Sequence, residues 1–184
     1  LYGILLAILV GIVIVGGIKR IGETTEKIVP AMVVIYVLAS LFIIISNITM
    51  LPTVISTIFS EAFSPSAAYG GFIGALVTGI KRGVFSNEGG VGSASIAHSA
   101  AKTDEPVREG IVAMIGPFID TIIVCFMTAS VILITAENNS VYQNATTLIA
   151  EQGKAAVGAS MTSEAFNSVI PGFNWVLAVV VFLF

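Results

Sequence analysis

Long apolar runs divided by short polar connections set the frame of this chain. A helix that crosses a bilayer needs about 20 predominantly apolar residues. Residues 1–18, 29–51 and 107–135 meet or approach that length, and a further apolar run occupies 173–184. In the first run Gly3, Ala7 and Gly11 recur every four residues, a small-residue seam along which another helix can approach. In the second, Tyr36, Ser40 and Asn47 share one stripe of a helix, which should face protein rather than lipid. Lys19 to Lys27 reads as a polar connection between these two spans. Pro52 closes the second span, and residues 53–63 read as a short amphipathic helix at the interface.

The pattern changes at 69–101. Tyr69 to Ile80 is an apolar run of twelve residues, too short to cross a bilayer alone. Lys81, Arg82 and a glycine-rich stretch, GVFSNEGGVGSASIAH, follow at once. Polar, irregular backbone among such apolar segments needs protein or a water-filled cavity around it. A helix broken near 79–83 is therefore expected, and discontinuous helices of that kind form the substrate and ion sites of many secondary transporters. Beyond it, the charged loop 102–109 precedes the span 107–135, with Pro106 in the first helical turn and Thr103 or Asp104 as its cap. Residues 136–172 form a long polar connection with its own short helices, around 145–157 and 163–169.

Composition turns these runs into a class. The chain is 56% hydrophobic and 10% charged, against about 25% charged in ordinary soluble domains, which points to an all-α integral membrane protein. A net charge of −3 without a basic tract gives no footprint for nucleic acid. The single cysteine, Cys125, permits no disulfide framework within the chain. Lys and Arg number three at 19–27, none at 52–68, four at 81–108 and one at 136–172. Cation-rich loops stay cytoplasmic, so loops 19–28 and 102–109 are expected inside and 52–68 and 136–172 outside. That alternation fits about five membrane segments, with 69–101 crossing once. Both ends fall inside apolar runs, and the 184 residues read as one membrane-domain piece of a longer polypeptide.

Few residues could carry chemistry. Ser86, Asn87 and Glu88 supply side-chain oxygens within one turn, as an ion pair with Lys81 or Arg82 or as ligands and gating groups. Asp120 lies deep in the span 107–135, where a carboxylate costs roughly 2.5–3.5 kcal/mol on insertion scales. At 100° per residue, Asp120, Thr121, Cys125, Thr128 and Thr135 fall within an arc of about 140°, and Ser130 lies elsewhere. Such a face marks a bundle interior or a cavity, with a paired structural Asp or cation or proton coupling as its two readings. His98 is the sole histidine and has no nearby second His or Cys, so it is expected to pack or cap rather than to bind metal. GGVGSAS follows no strand and lacks the third glycine of a dinucleotide fingerprint. No nucleophile, base and orienting group converge, which argues against an enzyme.

The stretch GIKRGVFSNEGGVGSASIAH, followed by KTDEPVREGIVAMIGPFIDT, closely resembles the signature of the alanine/glycine:cation symporter family, whose form is near RGxFSNEAGxGSAPIAHAAA. The chain departs at Gly89, usually Ala or Ser, and at Ser95, usually Pro; neither change removes a side-chain ligand. The resemblance implies a LeuT-type fold of two inverted repeats, of which this chain would supply core helices four to eight. It also implies Na+-coupled symport of alanine or glycine by alternating access, in the plasma membrane of a bacterium or archaeon, with Na+ as coupling ion and no other cofactor. Substrate contact is then expected at Thr78, Gly79, Ile80 and Gly83 in the broken helix, and a Na+ site at Asp120 and Thr121. Ser86, Asn87 and Glu88 complete the cation or gating candidates. Two rival readings are a proton-coupled carrier of the same fold and a non-transporting channel or scaffold subunit.

Overall fold

The computed structural model describes residues 2–64, 72–87, 90–152 and 154–183. These are helical almost throughout, with no strand among the described residues. The order is α1 (Tyr2–Ile14), α2 (Gly17–Ser46), a 3-10 turn (Ile48–Met50), α3 (Leu51–Ala62), α4 (Phe72–Ser86) and α5 (Ser93–His98). Then come α6 (Pro106–Phe118), a π-helical segment (Ile119–Val124) and α7 (Cys125–Ile134). After a second 3-10 turn (Ala136–Asn138), the chain ends with α8 (Ser140–Gln143), α9 (Ala145–Gln152), α10 (Lys154–Val169) and α11 (Phe173–Leu183).

Among the described residues two continuous helices are long and apolar enough to cross a membrane: Gly17–Ser46 and Pro106–Ile134, the latter made of α6, the π-segment and α7. The first is 30 residues, about 45 Å at 1.5 Å per residue. It begins well before the expected span, because the polar connection 19–27 is itself helical. Charge does not stop a helix: Lys, Arg, Glu and Ile are adequate helix formers, and the Thr24 and Thr25 hydroxyls donate back to the carbonyls of Arg20 and Ile21. The break from α1 falls instead at Val15–Gly16, where Gly17 takes φ +73°. At the other end α2 stops at Ser46 rather than Leu51. The Asn47 side chain donates to the Ile43 carbonyl at 2.9 Å, offering the backbone an alternative to the helical ladder. Pro52 does not close the span; it sits in the first turn of α3, where a missing N–H costs nothing. Pro106 plays the same part in α6, with Glu105 as the cap residue in place of Thr103 or Asp104.

The packed centre lies where α2, α3, α7, α10 and α11 meet. Ile43, Val131, Ala165 and Phe166 are fully buried there. The Phe166 ring sits 5.3 Å from Tyr36 and 5.2 Å from Phe173 between centroids, distances at which aromatic pairs are favourable. The expected stripe of α2 faces this centre: Ser40 is fully buried with its hydroxyl on the Tyr36 carbonyl, and the Tyr36 and Thr128 hydroxyls are 2.5 Å apart.

The connection 136–172 is more ordered than its polarity suggests. Residues 154–169 form one helix, so the second expected helix, 163–169, is the end of α10. The start of α8 is captured by α10 side chains and backbone. Asn139, fully buried, accepts from the Tyr142 N–H and donates to the Met161 carbonyl, both at 2.9 Å. The Glu164 carboxylate accepts from the Ser140 N–H at 3.0 Å, the Ser140 hydroxyl at 2.6 Å and the Val141 N–H at 3.2 Å. Those three donors hold the Glu164 carboxyl below the usual glutamate range, the Ser140 hydroxyl most of all.

Candidate functional site

The expected break near 79–83 is not observed. Helix α4 runs unbroken from Phe72 to Ser86, through Thr78, Gly79, Ile80 and Gly83. Glycine inside a helix costs only about 1 kcal/mol relative to alanine, too little to unwind a helix that is otherwise well formed. Irregular backbone is described further on, at Asn87 and at residues 90–92. Gly90 and Gly92 take φ values of +78° and +88°, a left-handed conformation that disfavours any side chain, and Gly92 then opens the short helix α5. Glu88 lies outside the described residues.

A second irregularity faces the first. In Pro106–Ile134 the backbone widens into a π-helical segment over Ile119–Val124, the stretch that contains Asp120 and Thr121. A π-segment carries an extra residue in each turn, so the face downstream slips by roughly one residue, about 100°. The polar arc expected from uniform spacing is unevenly buried in the structure, because α2, α3 and α10 pack around α7 while the π-segment is more open. Thr121 and Cys125 are exposed, Asp120 and Thr128 half-buried, and Thr135 buried. Ser130, placed outside the arc by uniform spacing, is fully buried, and its hydroxyl has no hydrogen-bond partner among the described residues.

A hydrogen bond ties the π-segment to the end of α4: the Thr121 hydroxyl donates to the Asn87 side-chain carbonyl at 3.2 Å. This bond joins residues 34 apart in sequence, and nothing in the local periodicity of either segment announces it. Next to Thr121, Asp120 lines a cavity of about 320 Å³ between α2, the π-segment, α10 and α11. Met32, Tyr36, Val124, Thr162 and Leu177 form much of its wall. The lining is mainly apolar, with the Asp120 carboxylate and the Tyr36 and Thr162 hydroxyls as polar members. Oxygen donors of this kind suit a hard cation, which prefers carboxylate, carbonyl and hydroxyl ligands.

The structure thus brings together Asn87 and Thr121, with Asp120 adjacent, and does not bring Thr78, Gly79, Ile80 or Gly83 to the cavity wall. Thr78 and Ile80 are exposed, and among the described residues a methyl group at Gly79 or Gly83 would meet nothing within 4 Å beyond its own stretch of helix. The backbone of Ser86 closes α4 beside Asn87. Among the described residues no group of three or more His, Cys, Asp and Glu side chains could hold a transition metal. His98 does pack, as expected: its Nδ1 lies 2.6 Å from a Glu109 carboxylate oxygen on α6.

Comparison with known proteins gives these features a setting. All 184 residues match the model of the sodium:alanine symporter family. The chain is 46% identical over 170 residues to the sodium/alanine symporter AgcS of Methanococcus maripaludis, covering 92% of this chain and 35% of that protein. It is 35% identical over 185 residues to the sodium/proton-dependent alanine carrier protein of a Bacillus species, strain PS3, covering 99% of this chain and 42% of the carrier. With the probable sodium/glutamine symporter GlnT of Bacillus subtilis it shares 43% identity over 132 residues, 71% of this chain and 28% of GlnT. The chain therefore spans about a third of the length of the curated relatives it matches. By this match along its whole length, the chain belongs to the sodium:alanine symporter family, a family of membrane transporters and not of enzymes.

Proposed function

We propose that this chain is the part of a Na+-coupled amino-acid symporter in which two irregular helices meet to hold the coupling ion. The carried substrate is a small neutral amino acid, alanine or glycine. The observation that carries this reading is the Thr121–Asn87 hydrogen bond, which joins Asn87, just past the end of α4, to the π-segment beside Asp120. In the unbound state the two side chains satisfy one another. A Na+ ion entering between them would replace that bond with ligation by the Asn87 and Thr121 oxygens, with Asp120 supplying negative charge nearby. Binding of Na+ would then draw on the same contact that sets the relation of α4–α5 to α6–α7, which is how an ion can bias one conformation over another. Thr78, Gly79, Ile80 and Gly83 belong to this reading as an open, small-residue flank of α4 against which substrate or a further helix can lie. The architecture that fits is a LeuT-type bundle in the plasma membrane, with about five segments supplied by this chain.

A second reading couples protons in place of Na+. Two observations favour it: Asp120 faces a mainly apolar cavity, and the relative from Bacillus strain PS3 is named for both ions. Alanine counterflow in proteoliposomes of the full-length carrier separates the readings. With Na+ as coupling ion, exchange needs Na+ on the substrate-loaded side and Asp120→Asn raises the Na+ concentration required. With protons, Asp120→Asn abolishes pH-driven uptake and Na+ has no effect. Saturable counterflow of either kind excludes a channel or passive scaffold.

A further inference from the structure

Helix α5 is short and mostly exposed, and one side-chain bond ties its last residue to the next helix. His98 Nδ1 lies 2.6 Å from Glu109 Oε1, with the two side chains 40% and 25% accessible. Between them the chain passes through the exposed loop 99–105. Glu109 sits in the first turn of α6, where the helix dipole favours a carboxylate. The other charges nearby are otherwise engaged or turned outward. Arg108 pairs with Glu105 at 2.6 Å, and both are well exposed. Lys102 and Asp104 are exposed in the loop, and Lys81 and Arg82 on α4 are exposed and form no ion pair among the described residues. Among the described residues the imidazole therefore meets the Glu109 carboxylate and no competing cation.

That arrangement has two strengths. A neutral imidazole with its proton on Nδ1 donates an ordinary hydrogen bond to Glu109. An imidazolium donates a charge-assisted one, roughly twice as strong. Histidine is the side chain whose charge ordinarily changes between about pH 5 and pH 8. Glu109 precedes Asp120 by eleven residues, about 16 Å along α6 and the π-segment, so this proton would bind at a place separate from the Asn87–Thr121 junction.

We propose that His98 and Glu109 form a proton-binding latch at the end of α5. When His98 takes up a proton, α5 is drawn onto α6, and opening toward the side of loop 102–109 slows. The proposal rests on the symporter reading above and on the cation count that puts this loop on the cytoplasmic side. The latch makes His98 a positioning residue and assigns it no contact with substrate or Na+.

The test uses the full-length carrier in oriented proteoliposomes, with Na+-driven alanine uptake followed while the pH on the cytoplasmic side is set between about 6 and 8. Wild type is expected to slow severalfold on acidification. His98→Gln and Glu109→Gln should keep one rate across the range, equal to the wild-type rate at the alkaline end. A second readout does not depend on transport. A cysteine placed at Ala100, with Cys125→Ser, is labelled by an impermeant maleimide with and without His98→Gln. The ratio of the two labelling rates cancels the thiol's own titration, and acid should lower it in favour of the His98→Gln protein. Na+-driven uptake by wild type with an unchanged pH profile in His98→Gln, or a labelling ratio indifferent to pH, overturns the latch and leaves the symporter reading intact. Absence of Na+-driven uptake by wild type sinks the symporter reading instead, and the labelling ratio then decides the latch alone.

Discussion

At the scale of single residues, Thr121 and Asn87 matter because their hydrogen bond is the point where two departures from helical geometry touch. Thr121→Val keeps the side-chain shape and removes the oxygen; Asn87→Ala removes the partner. If these oxygens ligate Na+, each variant should raise the Na+ concentration for half-maximal alanine uptake about tenfold, the effect of losing roughly 1.4 kcal/mol of ion binding. Maximal uptake at saturating Na+ should change much less, and titrating uptake against Na+ separates the two effects. Glu164, at the α8–α10 junction, offers an independent test. Its carboxyl is held low by the Ser140 hydroxyl and by the Ser140 and Val141 N–H groups. A lowered folded-state value means that the ionised form stabilises the α8–α10 junction above the ordinary glutamate range. That contribution is lost as pH falls through and below about 4.3. Hydrogen exchange of residues 139–144 should therefore speed up at pH 4 and below relative to pH 7, beyond the intrinsic dependence. Glu164→Gln should show the fast exchange already at neutral pH.

At the scale of elements, much was legible in the sequence where it depended on composition, and little where it depended on hydrogen-bond register. Among the described residues the apolar runs correspond to two helices long and apolar enough to span a membrane, the Tyr36–Ser40–Asn47 stripe faced protein, and Pro106 began its helix. The place of the break was misjudged because Lys81 and Arg82 look like an interruption, whereas α4 accommodates them on an exposed face. Gly90 and Gly92 were the usable signal, since only glycine takes φ near +80° without strain. The π-segment had no signal in residue type. A shift from i→i+4 to i→i+5 bonding leaves hydropathy unchanged, and Ser130 is buried because α2, α3 and α10 pack around α7, which spacing along one helix does not reveal. Gly92→Ala should therefore strain the entry to α5 by roughly 1–2 kcal/mol, although there is room for its methyl group. Gly92→Asn, which tolerates the left-handed region better, should retain more uptake. Equal loss in both variants would show that space or mobility, and not backbone conformation, is what this glycine provides.

At the scale of the whole molecule, the described helices leave long apolar faces exposed. On α2 these include Val34, Leu38, Phe42 and Ile45; on α6 they include Val107, Ile111, Met114 and Phe118. Only a bilayer or further protein can cover surface of that extent, in keeping with a chain that spans about a third of its relatives' length. Function therefore has to be measured on the full-length carrier. The most direct measurement loads proteoliposomes with labelled alanine outside and imposes an inward Na+ gradient at constant pH and zero membrane potential. The account expects alanine to accumulate above its external concentration and to run back out when a Na+ ionophore collapses the gradient. Accumulation that is indifferent to the Na+ gradient, or uptake that never exceeds equilibration, would contradict it.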